Sequence, residues 1–149
     1  MTDPNSNTPA VAVERVVQFF ENITVADLEN LGRIYDAQAR FTDPFSDVQG
    51  LPAIRDAYAP MFEALVGPRF VIRERVQQGL QCFLVWEFHF HFKNFQPEKA
   101  QCVQGTSHLV FSAQGLITVH RDYWNAAELY EKLPVVGSLM RWLKKKMQA

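Results

Sequence analysis

Ala39-Arg40-Phe41-Thr42-Asp43-Pro44-Phe45, leading through Asp47-Val48-Gln49-Gly50 into a helix-like run from Leu51 to Val66, is the stretch on which the fold turns. Read with period two, Ala39, Phe41 and Asp43 share one side while Arg40 and Thr42 take the other, so a carboxylate continues an apolar face. Pro44 restricts Asp43 to extended backbone and helps fix the direction of its side chain. An acid placed in this way points into a pocket, caps a turn or pairs with an arginine.

Working outward toward the N-terminus, Val13, Val16, Val17 and Phe20 recur at helical spacing within Val11 to Asn22 and predict a first amphipathic helix. Thr24 or Asp27 caps a second, with Leu28, Leu31, Ile34 and Tyr35 as its buried stripe. Toward the C-terminus, Ile54, Ala57, Tyr58, Met61, Phe62 and Leu65 form the apolar side of a third helix, ended by Gly67-Pro68. From there the pattern is β. Phe70 to Val76, Leu80 to Phe92, Cys102 to Phe111 and Leu116 to Trp124 read as four strands. The longest alternates clearly: Leu84, Trp86, Phe88, Phe90 and Phe92 face one way, and Glu87, His89, His91 and Lys93 the other. Helix-like segments at Ala126 to Lys132 and Val135 to Met147 close the chain. Helices followed by a meandering sheet give an α+β fold, a cone-shaped curved antiparallel sheet packed against the N-terminal helices.

Length and composition fit one soluble domain: 149 residues, 48% hydrophobic and 21% charged. The expected division is a disordered tail over 1-10 and a single domain over 11-149. A formal net charge of −1 gives no basic field for nucleic acid, so none is expected as a partner. No apolar run reaches the roughly 18 residues of a membrane span. Met1 to Pro9 lacks the basic and apolar parts of a secretion signal. With only Cys82 and Cys102, at no metal-ligand spacing, reduced thiols and a cytoplasmic location are expected.

The last hairpin permits a register argument. A four-residue loop over Ser112 to Gly115 sets Phe111 opposite Leu116, Leu109 opposite Thr118, Ser107 opposite His120 and Gly105 opposite Asp122. Ser107, His120, Asp122 and Trp124 then share one face with Leu109 and Phe111, and Gly105 leaves open space above Asp122. A three-residue loop with a bulge breaks that parity and turns Ile117, Val119 and Tyr123 inward instead. Along one strand face His120 and Asp122 are about 6.5–7 Å apart, which favours a shared ligand or bridging water over direct contact.

Phe41-Thr42-Asp43-Pro44, Gly50 followed by Ala53-Ile54-Arg55-Asp56-Ala57-Tyr58, and Gly115-Leu116-Ile117 running to His120-Arg121-Asp122-Tyr123-Trp124 resemble the nuclear transport factor 2-like superfamily. That group includes ketosteroid isomerase and the SnoaL-type polyketide cyclases. The resemblance spans about Val11 to Trp124 and implies fold more than activity. Asp43 matches the general-base aspartate of ketosteroid isomerase, and Tyr58 a pocket tyrosine. Phe20 and Ser107 stand where that enzyme's two oxyanion donors belong. Losing one such donor costs about 2.7–4 kcal/mol of barrier lowering, which argues against steroid isomerisation. Asp122, with His120 two residues before it, resembles the acid/base aspartate of the polyketide cyclases.

The resemblance implies a small apolar molecule bound in a cone-shaped pocket. Asp43, His120 and Asp122 are the candidate catalytic residues, and Phe20, Tyr35, Tyr58, Trp86, Phe88, Ser107 and Trp124 the candidate substrate-binding ones. Two readings stand side by side: an isomerase, cyclase or dehydratase working by acid–base chemistry with no cofactor, and a non-catalytic ligand-binding or dimerisation module of the same fold. A homodimer is implied, since the outer sheet face is the dimer surface in the resembled group. His89 and His91 have no evident convergent third ligand, so no metal is expected. The cationic, apolar C-terminal helix is expected to dock over the cone rather than on a membrane surface.

Overall fold

The apolar spacing of the N-terminal segment folds Pro9–Glu21 into helix α1 of the computed structural model, which describes residues 8–148. Thr8 caps the helix by accepting from the Val11 N–H, and Pro9 takes the first-turn position where its missing N–H costs nothing. The helix thus begins inside the expected tail, whose first seven residues lie outside the described ones. Ala12, Val13, Val16, Val17, Phe19 and Phe20 are buried. Val25–Arg33 is a kinked 3-10 segment in which Asp27 accepts from the Thr24 N–H (2.7 Å) and hydroxyl (3.0 Å).

Tyr35 does not extend that segment. It opens strand β1, Tyr35–Thr42. A short β2, Asp47–Gln49, returns alongside it, and helix α2, Leu51–Ala64, follows with Ile54 and Tyr58 buried. Then come β3 (Leu65–Gln78), β4 (Gln81–Phe92), β5 (Gln101–Phe111) and β6 (Ile117–Trp124), and helices α3 (Ala126–Glu131) and α4 (Pro134–Met147). The sheet order is β2-β1-β6-β5-β4-β3. The α+β architecture is the expected one. Its strand pairs are antiparallel except β1 with β6, which run parallel.

Bulges curve the sheet. On β3 the register shifts between Val66 and Arg69 and again between Ile72 and Glu74. The Glu21 carboxylate at the end of α1 accepts from the Ile72 N–H (3.1 Å) beside the second bulge, tying helix to sheet there.

The last hairpin departs from the expected register while keeping the expected face. Phe111 lies opposite Ile117, not Leu116, and a bulge at Thr118 then sets Leu109 opposite His120, Ser107 opposite Asp122 and Gly105 opposite Trp124. The pairing moves by two residues in total, so His120, Asp122 and Trp124 still face inward. Ile117 joins them because the bulge restores its parity, and it is fully buried. Nor is the space above Gly105 empty: a Cβ there would lie 2.4 Å from the Trp86 ring, so the missing side chain is what lets the indole cross β5.

The stripe expected to dock the C-terminal helix is exposed where its side chains are described, those of Val135, Val136 and Met140 lying outside the described ones. Leu139, Trp142, Leu143 and Met147 are all exposed, and the Lys146 ammonium stands over the Trp142 ring at 5.7 Å. The docking contacts of α4 run to α3. No helix among the described residues is long and apolar enough to cross a membrane.

Candidate active site

The inward faces of β3, β4 and β5 present aromatic side chains toward α2, and between them lies a cavity of about 450 Å³. Trp86, Phe88, Phe90 and Phe92 of β4 line it because strand alternation puts every second residue on that side. Phe70 from β3, Val103 from β5, and Tyr58, Pro60 and Met61 from α2 add further wall. Phe41, Phe45, Trp124, Leu129 and Leu133 also line it, with Ala57, Ala64 and Leu65. The stacked run Phe70, Phe88 and Phe90, with ring centroids 4.7 and 5.2 Å apart, is continuous along this wall.

Two carboxylates interrupt it, Asp43 and Asp122. Both also border an open depression of about 500 Å³ shared with Thr42, Arg121 and Tyr123, so they stand between the aromatic cavity and solvent. Asp43 sits just beyond the end of β1. Its Oδ1 accepts from the N–H groups of Phe45 (2.8 Å) and Ser46 (2.6 Å), which makes it a turn cap as well as a cavity residue. The arginine of the same strand, Arg40, makes a bidentate pair with Asp47 at 2.7 and 2.9 Å instead. Burial raises the Asp43 pKa above the usual carboxylate value. The two N–H donors pull it back, and the nearby Asp122 charge adds to the rise.

Asp122 terminates a buried hydrogen-bond chain. The Tyr58 and Tyr35 hydroxyls are 2.9 Å apart, Tyr35 reaches His120 Nδ1 at 2.6 Å, and His120 Nε2 reaches Asp122 Oδ1 at 2.6 Å. His120 and Asp122 are thus in direct contact, where strand spacing led to the expectation of a shared ligand or bridging water. From the other side the Trp86 Nε1–H donates to Ser107 Oγ (2.9 Å), and Ser107 donates to the same Asp122 oxygen (2.5 Å).

With Asp122 ionised and His120 a neutral imidazole, every hydrogen in the chain has one consistent place. His120 must donate through Nε2, so Nδ1 accepts from Tyr35, whose oxygen accepts from Tyr58. Oδ1 is engaged twice, and Oδ2 is the oxygen left for a ligand. His120 is 2% exposed, stacked on Tyr35 and flanked edge-on by Phe20 and Phe41. Burial holds the Tyr35 and Tyr58 phenols well above their ordinary pKa, so both stay protonated as relay members.

Of the sequence candidates, Asp43, Asp122, Tyr58, Trp86, Phe88 and Trp124 line the cavity, whereas Phe20, Tyr35, Ser107 and His120 lie behind its wall. Phe20 packs on Tyr58, Phe70 and His120 as core, and the other three act through hydrogen bonds to lining residues. Phe45, Leu129 and Leu133 were not among the candidates. Leu129 lies on α3 and Leu133 in the bend just after it, and their four-residue apolar spacing was the available signal.

A family model described as a SnoaL-like domain matches residues 16–120. Among solved structures, a protein with a ketosteroid isomerase-like fold from Catenulispora acidiphila, in complex with trimethylamine, aligns at TM-score 0.70 and 16% identity. That alignment covers 89% of this chain and 96% of the other. A SnoaL-like polyketide cyclase, so described, from Jannaschia aligns at TM-score 0.69 and 14% identity over 87% and 94% of the two chains. TerC co-crystallised with polyporic acid aligns at TM-score 0.68 and 14% identity over 83% and 95%. At these identities the likeness is one of fold. No curated protein matches the sequence.

Proposed function

The chain belongs to the SnoaL-like family, and on that premise we propose that it binds a small, largely apolar, carbonyl-bearing molecule in the aromatic cavity and moves a proton on it. The observation that carries the reading is that Tyr58 and Asp122 both line the cavity and are joined behind its wall through Tyr35 and His120. The trimethylamine complex of one structural neighbour and the co-crystallisation of another with polyporic acid support a small-molecule ligand.

In this scheme a proton leaves the carbon next to the carbonyl for Asp122 Oδ2, and the electron pair moves onto the carbonyl oxygen. That oxygen receives a hydrogen bond from Asp43, whose raised pKa lets it hold a proton closer to neutrality than an ordinary aspartic acid. Return of the proton from Asp122 to a second carbon completes an isomerisation; alternatively the enolate carbon attacks a second carbonyl of the ligand, closing a ring, and the proton goes to the new alkoxide oxygen, so both acids end as they began. His120 and Ser107 hold Asp122 in place, making them positioning residues.

The test is proton NMR of a panel of α,β- and β,γ-unsaturated ketones with the protein in D2O. Protein-dependent exchange of ligand C–H for deuterium is expected, lost by about 10²-fold or more in Asp122→Asn, while ligand quenching of Trp86 and Trp124 fluorescence persists.

A second reading, a binding module without turnover, is favoured by Phe20, which occupies the place of an oxyanion donor and offers none. Quenching without exchange in the wild-type protein selects it.

The homodimer belongs to the same proposal. Phe83, Val119 and Tyr123 leave large apolar area exposed on the outward side of the sheet. Light scattering at micromolar concentration is expected to give twice the 17.1 kDa chain mass, and a monomeric mass refutes the dimer. The free thiols of Cys82 and Cys102 support a reducing, cytoplasmic setting.

A further inference from the structure

We propose that Glu87, His89 and Cys102, on the outward face of the sheet and away from the cavity, form a three-ligand Zn²⁺ site with its fourth position open. The sheet builds the set. Glu87 and His89 are two residues apart on β4, and Cys102 of β5 is the cross-strand partner of His89, so all three project to the same side. His89 Nε2 lies 3.7 Å from Glu87 Oε1 and 4.0 Å from Cys102 Sγ, and the three donor atoms lie within 4.8 Å of one another. Tetrahedral zinc with bonds of about 2.0–2.3 Å needs donors about 3.3–3.6 Å apart. The observed spacing closes to that by small rotations of side chains that are at least partly exposed.

The donor set of one imidazole, one thiol and one carboxylate suits zinc better than the hard, all-oxygen cations. His91, the neighbour that sequence spacing singles out, is not part of it: its Nδ1 meets the Pro97 carbonyl at 2.9 Å. Arg73 pairs with Glu87 at 2.9 Å, orienting the carboxylate while opposing a second cation. Beside Cys102 a depression of about 610 Å³, bordered by Lys99, Glu128 and Lys132, leaves room for water or an exogenous ligand on the open side. Because a thiol ligates as its thiolate, metal binding displaces the Cys102 proton and strengthens as pH rises.

The test titrates Co²⁺, then Zn²⁺, into the full-length reduced protein. One equivalent of Co²⁺ should produce a thiolate-to-cobalt charge-transfer band with intense tetrahedral d–d bands, and Zn²⁺ should displace it. Cys102→Ser and His89→Ala should each abolish the band and weaken zinc by at least about 100-fold, beyond the effect of losing an outer-shell partner. His91→Ala should change neither, and Arg73→Gln should tighten binding several-fold. Absence of saturable one-to-one uptake, or unchanged zinc affinity in Cys102→Ser, overturns the site. Thermal melts of each variant separate loss of metal from loss of fold.

Discussion

Asp43 serves two demands that usually exclude each other. Its Oδ1 satisfies two turn N–H groups, and its carboxyl still borders an aromatic cavity. The folded-state pKa lies above the unfolded one, so the folded protein binds the extra proton and stability falls as pH rises through that window. Asp43→Asn keeps the acceptor for the turn and removes the titration. Its melting temperature should exceed the wild type's at neutral pH, with the difference vanishing in acid. Tyr35→Phe should cost about 1–3 kcal/mol in urea unfolding, because it takes the donor from His120 Nδ1 and the acceptor from Tyr58 in a buried place. Asp43 was legible in the sequence through period two and the following Pro44. Tyr35 was a candidate for the site, but its place on a strand was not legible, because Leu28, Leu31 and Ile34 carry a helical rhythm into it and only pairing with Ile117 shows that a strand has begun.

Among the elements, β4, β5 and β6 meet around one missing side chain. Gly105 faces Trp86 on one side and Trp124 on the other. Gly105→Ala should destabilise by about 1–3 kcal/mol through overpacking and push Trp86 off Ser107, read as a lower urea midpoint and an altered tryptophan emission spectrum. The strands themselves could be read from alternation, and the inward set on β6 survived a register error because two single-residue shifts cancel in parity. The bulge at Thr118 left no mark in the sequence: its hydroxyl bonds the Val110 carbonyl at 3.1 Å, a cross-strand contact between residues eight apart. Direct contact between His120 and Asp122 was hidden for a related reason, since strand spacing measures backbone and takes no account of how far two side chains lean together.

On the scale of the whole molecule, the sheet and α2 supply the floor and sides of the cavity, while Leu129 at α3 and Leu133 just beyond it reach in from the C-terminal segment. Both leucines lie past residue 120, where the match to the family model ends. Under the proposed function, these two aliphatic side chains limit how long or bulky a ligand the cavity admits. Leu129→Ala with Leu133→Ala should extend the accepted ligand series toward larger members, measured by fluorescence quenching, without altering exchange of the smallest one. Specificity in this protein would then be a matter of its lid, revisable without touching the proton chemistry beneath.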